Sequence, residues 1–157
     1  MQDIEKLQIR QALIDNYNHY AEGLDSKNWD LVRSCFAAQF YIDYGAISAA
    51  SGDPRVARKL EDWMQHLQAV INSFDITRHT ITNHRVVIDD TQVSCKAYLV
   101  ADHVRFADAT QPIVGPDDVV TVVGEYHNHY AHIDGAWRIV RSALAVNWTS
   151  GNLALFG

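Results

Sequence analysis

The chain has 157 residues, 48% of them hydrophobic and 20% charged, and it carries a formal net charge of -6. This length and ordinary globular composition predict a single domain over residues 1–157. The acidic balance argues against a nucleic-acid-binding protein, which needs clustered Lys and Arg. No apolar run approaches the roughly 20 residues of a membrane-spanning helix, so we expect no membrane partner.

The N-terminal segment predicts an amphipathic helix. MQDIEKLQIR lacks the apolar stretch of a signal peptide, which favours a cytoplasmic location. Apolar residues then recur at helical spacing and predict a helix over residues 3–23, ended by Gly23. Ser26 or Asn28 can cap a short second helix that begins near Trp29. The apolar positions of the first helix are Ile4, Leu7, Ile14, Tyr17, Ala21 and Leu24.

The next segment predicts a strand and a third helix. Phe40–Tyr44 is short and aromatic, which is typical of a strand. Asp53-Pro54 places an N-cap residue before a proline, so we expect a helix to begin there. Its apolar stripe extends over about five turns and consists of Val56, Leu60, Trp63, Leu67, Val70, Ile71 and Phe74.

After Phe74 the hydrophobic period changes to that of strands. Asp89-Asp90 and Asp134-Gly135 are typical of hairpin turns, and residues 108–118 form the longest predicted loop. Helices that precede long antiparallel strands indicate an α+β fold, with the helices packed on one face of the sheet. The predicted strands are Thr77–Asp89, Gln92–Phe106, Val119–Ile133 and Ala136–Trp148.

Two titratable residues, Asp25 and His79, are candidates for acid/base chemistry. An imidazole titrates near neutral pH, so His79 can act as a general base. A neighbouring carboxylate would fix its tautomer and stabilise the imidazolium that forms. Each residue also has a purely structural interpretation: Asp25 as an acid at a helix end, and His79 as a half-buried strand residue.

Several short motifs follow one another along the chain: Asp25-Ser26-Lys27 followed by Trp29-Asp30, Ile42-Asp43-Tyr44, His79, His103 before Arg105, and Ile133-Asp134-Gly135 followed by Trp137. In their order and spacing these motifs resemble those of scytalone dehydratase. That family belongs to the SnoaL-like branch of the NTF2-like superfamily, and the resemblance extends roughly from Ala21 to Trp148. It implies a cone-shaped α+β fold, in which a curved mixed or antiparallel sheet wraps around the N-terminal helices, and a homotrimer or homodimer.

The resemblance also implies catalytic roles. Asp25 and His79 match the family's acid/base dyad, and His103 matches a second histidine that assists loss of the substrate hydroxyl. Tyr44 matches one of two tyrosines that polarise the substrate carbonyl, often through a water. The position of the second tyrosine is occupied here by Leu24. This removes one hydrogen-bond donor and makes that wall of the implied pocket apolar.

The predicted pocket is apolar and suits a small cyclic or aromatic substrate. Tyr20, one helical turn before the missing tyrosine, could partly replace it, as could Tyr17. The family's polar Ser and Asn fall on Gly124 and Tyr126, so the substrate must differ from scytalone. The candidate substrate-binding residues are Tyr20, Leu24, Tyr126, Leu144 and Val146.

Metal and cofactor chemistry has weak support in the sequence. Glu125, His127 and His129 share one strand face and could serve a metal, but that face points away from the pocket if Tyr126 faces it. Phosphate loops and dinucleotide fingerprints are absent from the sequence. Cys35 and Cys95 are interpreted as buried thiols. We therefore expect neither a metal nor another cofactor.

These observations favour a cofactor-independent lyase that eliminates water from a small cyclic or aromatic hydroxy-ketone. One alternative is a ketosteroid-isomerase-like or polyketide-cyclase-like proton-transfer enzyme. Another is a non-catalytic binding domain, or a protein that resembles the β-subunit of a ring-hydroxylating dioxygenase. The apolar tail, residues 149–157, is expected either to cover the pocket or to pack on a neighbouring subunit.

Overall fold

The computed structural model describes residues 1–45 and 52–157. Its helices are α1 (Asp3–Ser26), α2 (Trp29–Ser34) and α3 (Leu60–Asn72), and a 3-10 helix spans Leu153–Phe156. The strands are β1 (Phe36–Asp43), β2 (Arg58–Lys59), β3 (Ile76–Ile88), β4 (Val93–Val104), β5 (Val119–Ile133) and β6 (Ala136–Gly151). None of the helices in the described ranges is both long and apolar enough to cross a membrane.

The six strands form one mixed sheet in the order β2-β1-β6-β5-β4-β3. Neighbouring strands are antiparallel except β1 and β6, which are parallel. The helices precede the long strands, and α1 packs against β3 and β6. The predicted α+β fold is therefore confirmed, with an open sheet that covers the N-terminal helices.

Helix α1 buries one face against the sheet, but its ends differ from the prediction. Its first apolar residues, Ile4 and Leu7, are exposed because they lie beyond the core. The helix does not end at Gly23; it continues to Ser26 and ends at the left-handed Lys27, at φ 55°. Gly23 serves a close helix crossing instead, since a Cβ there would lie 2.6 Å from Cγ2 of Val32.

The predicted start of α3 at Asp53-Pro54 is wrong. Asp53 forms a local turn, in which its carboxylate accepts hydrogen bonds from the backbone and guanidinium of Arg55. Val56 is exposed. Residues 58–59 pair with β1, so the chain stays extended and the helix begins only at Leu60. An N-cap residue and a tight-turn residue use the same side-chain chemistry, which is why the sequence was ambiguous here.

The four long predicted strands are present: β5 has the predicted ends, and the other three have shifted ends. Strand β1 begins at Phe36 rather than at Phe40. The β5–β6 hairpin closes at Asp134 and Gly135, whose φ angles of 52° and 80° suit a two-residue turn. A bulge interrupts β3 between Thr82 and Arg85. The prediction of two buried thiols is confirmed for Cys35 and Cys95.

Candidate active site

The last turn of α1 brings Asp25 against His79 of β3. The His79 ring Nδ1 lies 2.7 Å from Asp25 Oδ1. The same carboxylate accepts the backbone N–H of His79, at 3.0 Å to Oδ2, and the hydroxyl of Thr77, at 3.0 Å to Oδ1. The side chains of His79 and Asp25 are 6% and 19% exposed. The carboxylate is therefore fixed by three donors in a largely buried position.

The electrostatics of this pair favour a charged carboxylate. Burial alone would raise the pKa of Asp25, but the hydrogen bonds from His79 and Thr77 outweigh burial and lower its pKa below the ordinary value. An ionised carboxylate only accepts hydrogen bonds, so Nδ1 of His79 carries a proton. Nε2 of His79 then keeps its lone pair and can accept a proton.

His103 of β4 lies beside this pair. Its ring meets the His79 ring edge to face, with centroids 5.6 Å apart. Its Nδ1 lies 3.2 Å from the carbonyl oxygen of Val120, to which it donates. Burial, followed by repulsion from His79, lowers the pKa of His103 to about 4. His103 is therefore neutral near pH 7, and its Nε2 is a hydrogen-bond acceptor.

The buried state of His103 predicts a loss of stability in acid. Its folded pKa of about 4 lies below the unfolded value of about 6.5. Between these values the unfolded chain binds more protons, so the free energy of unfolding falls as the pH drops. His103 accounts for roughly 1.4 kcal/mol per pH unit at most, even though Asp25 and Asp102 partly favour its protonation. Urea unfolding at pH 7 and at pH 4.5 measures the difference.

The matched variants for this measurement are His103→Gln and His66→Gln. The first removes the buried imidazole and should flatten the dependence of stability on pH. The second replaces an exposed imidazole and should leave the dependence as in the wild type. If the free energy of unfolding changed equally with pH in the wild type and in His103→Gln, His103 would not be the source of the acid instability.

The C-terminal segment covers this end of the site. The Phe156 ring packs edge to face on His103, with centroids 5.0 Å apart, and on Phe74 at 5.8 Å. Arg105 holds the segment by donating to the carbonyl oxygens of Ser73 and Leu155. In the structure the tail thus packs against Phe74 and His103 of its own chain.

Three buried phenols lie together in the interior: Tyr20 of α1, Tyr44 after β1 and Tyr126 of β5. The ring of Tyr126 lies 6.2 Å from that of Tyr20 and 5.9 Å from that of Tyr44. The side chain of Tyr20 also interacts electrostatically with the other two. Burial raises the pKa of all three phenols, so they remain protonated and can act as donors.

A chain of hydrogen bonds links Tyr44 to Ser142, Asn128 and Tyr130 on the inner face of the sheet. Ser142 donates to Oδ1 of Asn128 at 2.6 Å, and Nδ2 of Asn128 donates to Tyr130 at 3.2 Å. The single proton of Ser142 is thus engaged. Its oxygen, 3.0 Å from the Tyr44 hydroxyl, must accept from Tyr44. The proton of Tyr44 therefore points towards Ser142 in this structure.

The remaining predicted wall residues have different environments. Leu24 is 1% exposed and lies in the core, whereas Leu144 and Val146 are only partly buried. Tyr17 donates to the carbonyl oxygen of Cys95 at 2.6 Å, so its proton is engaged elsewhere. Tyr20, which contacts the other two phenols, is the better placed of the two predicted substitutes for the tyrosine absent at position 24.

The histidines of the outer sheet face do not join this site. The rings of His127 and His129 lie 4.5 Å apart, and His129 Nε2 pairs with the Gln92 side chain at 3.2 Å. Glu125 pairs with Arg85 at 3.3 Å. Within residues 1–45 and 52–157, no group of three or more His, Cys, Asp or Glu side chains could hold a metal ion.

Sequence reasoning missed three polar residues of the interior. Thr77 lies two positions before His79 on the same strand face, so strand alternation could have revealed it. Asn128 shares the face of Tyr126 in the same way. The third, Trp63, was interpreted as part of the apolar stripe of α3, and its indole nitrogen left no signal in the pattern.

The chain is similar to several known proteins. Residues 5–143 match the family model of the SnoaL-like domain. The scytalone dehydratase arp1 of Aspergillus fumigatus is 27% identical over 154 residues, which cover 90% of this chain and 82% of that protein. Among solved structures, the Kfla4162 protein of Kribbella flavida superposes with a TM-score of 0.80 at 27% identity, covering 96% of this chain and 97% of the other.

A second solved structure has a similar fold at lower identity. It is the hexachlorocyclohexane dehydrochlorinase LinA-type3 of Novosphingobium barchaimii, with a TM-score of 0.73 at 16% identity, covering 96% of this chain and 94% of that one. At that identity the likeness concerns the fold. These comparisons confirm the resemblance and the cone-shaped architecture that the sequence predicted.

Proposed function

Because the chain belongs to the SnoaL-like domain family, we propose that it is a cofactor-independent lyase that removes water from a small cyclic or aromatic hydroxy-ketone. The observation that carries the proposal is the 2.7 Å hydrogen bond between the His79 ring and the Asp25 carboxylate. It leaves one imidazole nitrogen with a lone pair in a largely buried site, which is the arrangement that general-base catalysis requires.

The first step of the proposed reaction is removal of the α-proton of the ketone. Nε2 of His79 takes this proton, and the electron pair of the broken C–H bond moves towards the carbonyl to form an enolate. Asp25 stabilises the imidazolium that results. The Tyr44 hydroxyl turns from Ser142 to the enolate oxygen, or to a water bound to it, and stabilises the negative charge.

The second step is loss of the β-hydroxyl group. The enolate reforms the carbonyl, a C=C bond forms and the C–O bond breaks. His79 returns its proton to the departing oxygen, so that water leaves and the imidazole is neutral again. The lowered pKa of His103 supports His79 as the donor in this step. His103 instead accepts a hydrogen bond from the substrate hydroxyl and orients it.

The relatives support elimination chemistry at the level of the family. One is named a scytalone dehydratase and another a dehydrochlorinase. Loss of water and loss of hydrogen chloride both begin with removal of a proton next to a leaving group. This supports a dehydratase or a related proton-transfer enzyme, and the buried phenols and apolar walls fit a small hydrophobic substrate. A homotrimer or homodimer in the cytoplasm remains a prediction.

The direct test uses 3-hydroxy-1-tetralone, a bicyclic β-hydroxy-ketone whose dehydration yields 1-naphthol. We expect the protein to form 1-naphthol, followed by its fluorescence, while heat-denatured protein does not. A parallel reaction follows deuterium exchange at C2 of 1-tetralone in D₂O. Exchange without naphthol would favour an isomerase or a cyclase. The absence of both naphthol and deuterium exchange would contradict the enzymatic proposal and favour a binding domain.

A further inference from the structure

Trp63 of α3 has a buried indole N–H that hydrogen-bonds to nothing in the described part of the chain. The side chain is among the largest fully buried ones, and the residue is 1% exposed. Its Nε1 has no hydrogen-bond partner. Burying an N–H without an acceptor is unfavourable, and such groups in folded proteins usually have a partner, whether protein, water or ligand.

The indole is held at the edge of the phenol cluster. The rings of Trp63 and Tyr44 are nearly perpendicular, at 78°, with centroids 5.5 Å apart. The guanidinium carbon of Arg58 lies 5.6 Å from the centroid of the indole. Trp63 thus touches the residue proposed to polarise the substrate carbonyl, and contacts with two neighbours fix its ring.

The hydroxyl of Tyr44, which lies beside the indole, already has an acceptor. Tyr44 donates to Ser142, because the proton of Ser142 is engaged by Asn128. The proton of Tyr44 is thus engaged, whereas the N–H of Trp63 has no acceptor in the described part of the chain.

We propose that Nε1–H of Trp63 donates a hydrogen bond to the oxygen of the bound substrate, as a second donor beside Tyr44. This inference rests on the proposed function and deepens it. It supplies the donor that Leu24 lacks in comparison with the family pattern. Because an indole nitrogen donates and does not accept, Trp63 selects a ligand with an acceptor oxygen, such as a ketone or enolate, attached to a flat apolar ring.

The test is a binding experiment with two ligands of the same shape. 1-Tetralone has a ketone oxygen, and tetralin is the same bicycle without it. The chain has four tryptophans, so ¹⁵N-labelled indole resonances can be assigned with single Trp→Phe variants. We expect 1-tetralone to move the indole proton of Trp63 downfield, and tetralin to leave that resonance without a downfield shift.

Affinities provide a second readout. Trp63→Phe keeps an aromatic ring but removes the N–H, and we expect it to weaken 1-tetralone binding about 3–10-fold, the effect of one neutral hydrogen bond. Tetralin binding should change less than about 2-fold. Trp148→Phe, at a position that is 60% exposed, is the matched control and should leave both affinities unchanged.

The outcomes separate this inference from the proposed function. Equal losses for both ligands in Trp63→Phe would overturn it. So would an indole resonance of Trp63 that stays in place in the wild type up to the solubility limit of 1-tetralone, a measurement that does not require the variant to fold. A downfield shift in a protein that forms no 1-naphthol would leave the inference standing and overturn only the dehydration.

Discussion

His79→Ala is expected to lower the turnover of 3-hydroxy-1-tetralone by at least about two orders of magnitude. The change removes the nitrogen that takes the α-proton and returns it to the departing hydroxyl, so both proposed steps lose their proton carrier. Asp25 remains, but a carboxylate is ordinarily a much weaker base than an imidazole. Initial rates of 1-naphthol formation under saturating substrate measure the effect.

The matched control is His127→Ala. This residue is another strand histidine, but it lies on the outer face of the sheet, where its ring contacts His129. We expect the turnover of the His127→Ala variant to remain within about 2-fold of the wild type. If both alanine variants retained wild-type turnover, His79 would not be the base. If both lost it equally, the loss would reflect a general disturbance of the sheet.

The second large effect is expected for Asp25→Asn. The asparagine can still accept the backbone N–H of His79, so the local structure should persist. Its amide can also donate to Nδ1, and the His79 proton would then move to Nε2, where the lone pair is needed. An inverted tautomer of this kind is expected to cost about two to four orders of magnitude in turnover.

Comparison with His79→Gln separates the dehydratase from its nearest rival. If His79 is the base, both Asp25→Asn and His79→Gln lose naphthol formation and C2 exchange in 1-tetralone to a similar degree. An isomerase in which Asp25 alone removes the proton would tolerate His79→Gln and lose activity in Asp25→Asn. Exchange rates for the two variants, each normalised to its folded fraction by circular dichroism, decide between them.

The long strands could be predicted because their alternation is local and strong. Residues 119–133, for example, form β5 as predicted. The start of α3 could not be predicted from the sequence, because Asp53-Pro54 suits a turn as well as a helix cap. What keeps residues 58–59 extended is their pairing with β1, where Phe40 lies opposite Arg58. Such a partner, distant in sequence, leaves no mark in the hydrophobic period.

The candidate site likewise combines features that could be predicted from the sequence with others that could not. The contact between Asp25 and His79 was expected from the order of motifs that resemble scytalone dehydratase. Alternation along β6 is compatible with Ser142 on the inner face, but it does not reveal the bond to Asn128. That bond depends on how β5 and β6 align, and a bulge between them near His129 affects this alignment. The unpartnered nitrogen of Trp63 depends on the surroundings of one atom, which no sequence pattern encodes.

The backbone bond between Asp25 and His79 has a consequence outside catalysis. Strand β3 is the last strand of the sheet, and exposed edge N–H groups invite another chain to add a strand. Asp25 occupies one such group near the start of this strand, the backbone N–H of His79. The carboxylate thus removes one backbone donor that an added strand would use. We therefore expect an acceptor to be favoured at this position even in a relative that had lost its activity.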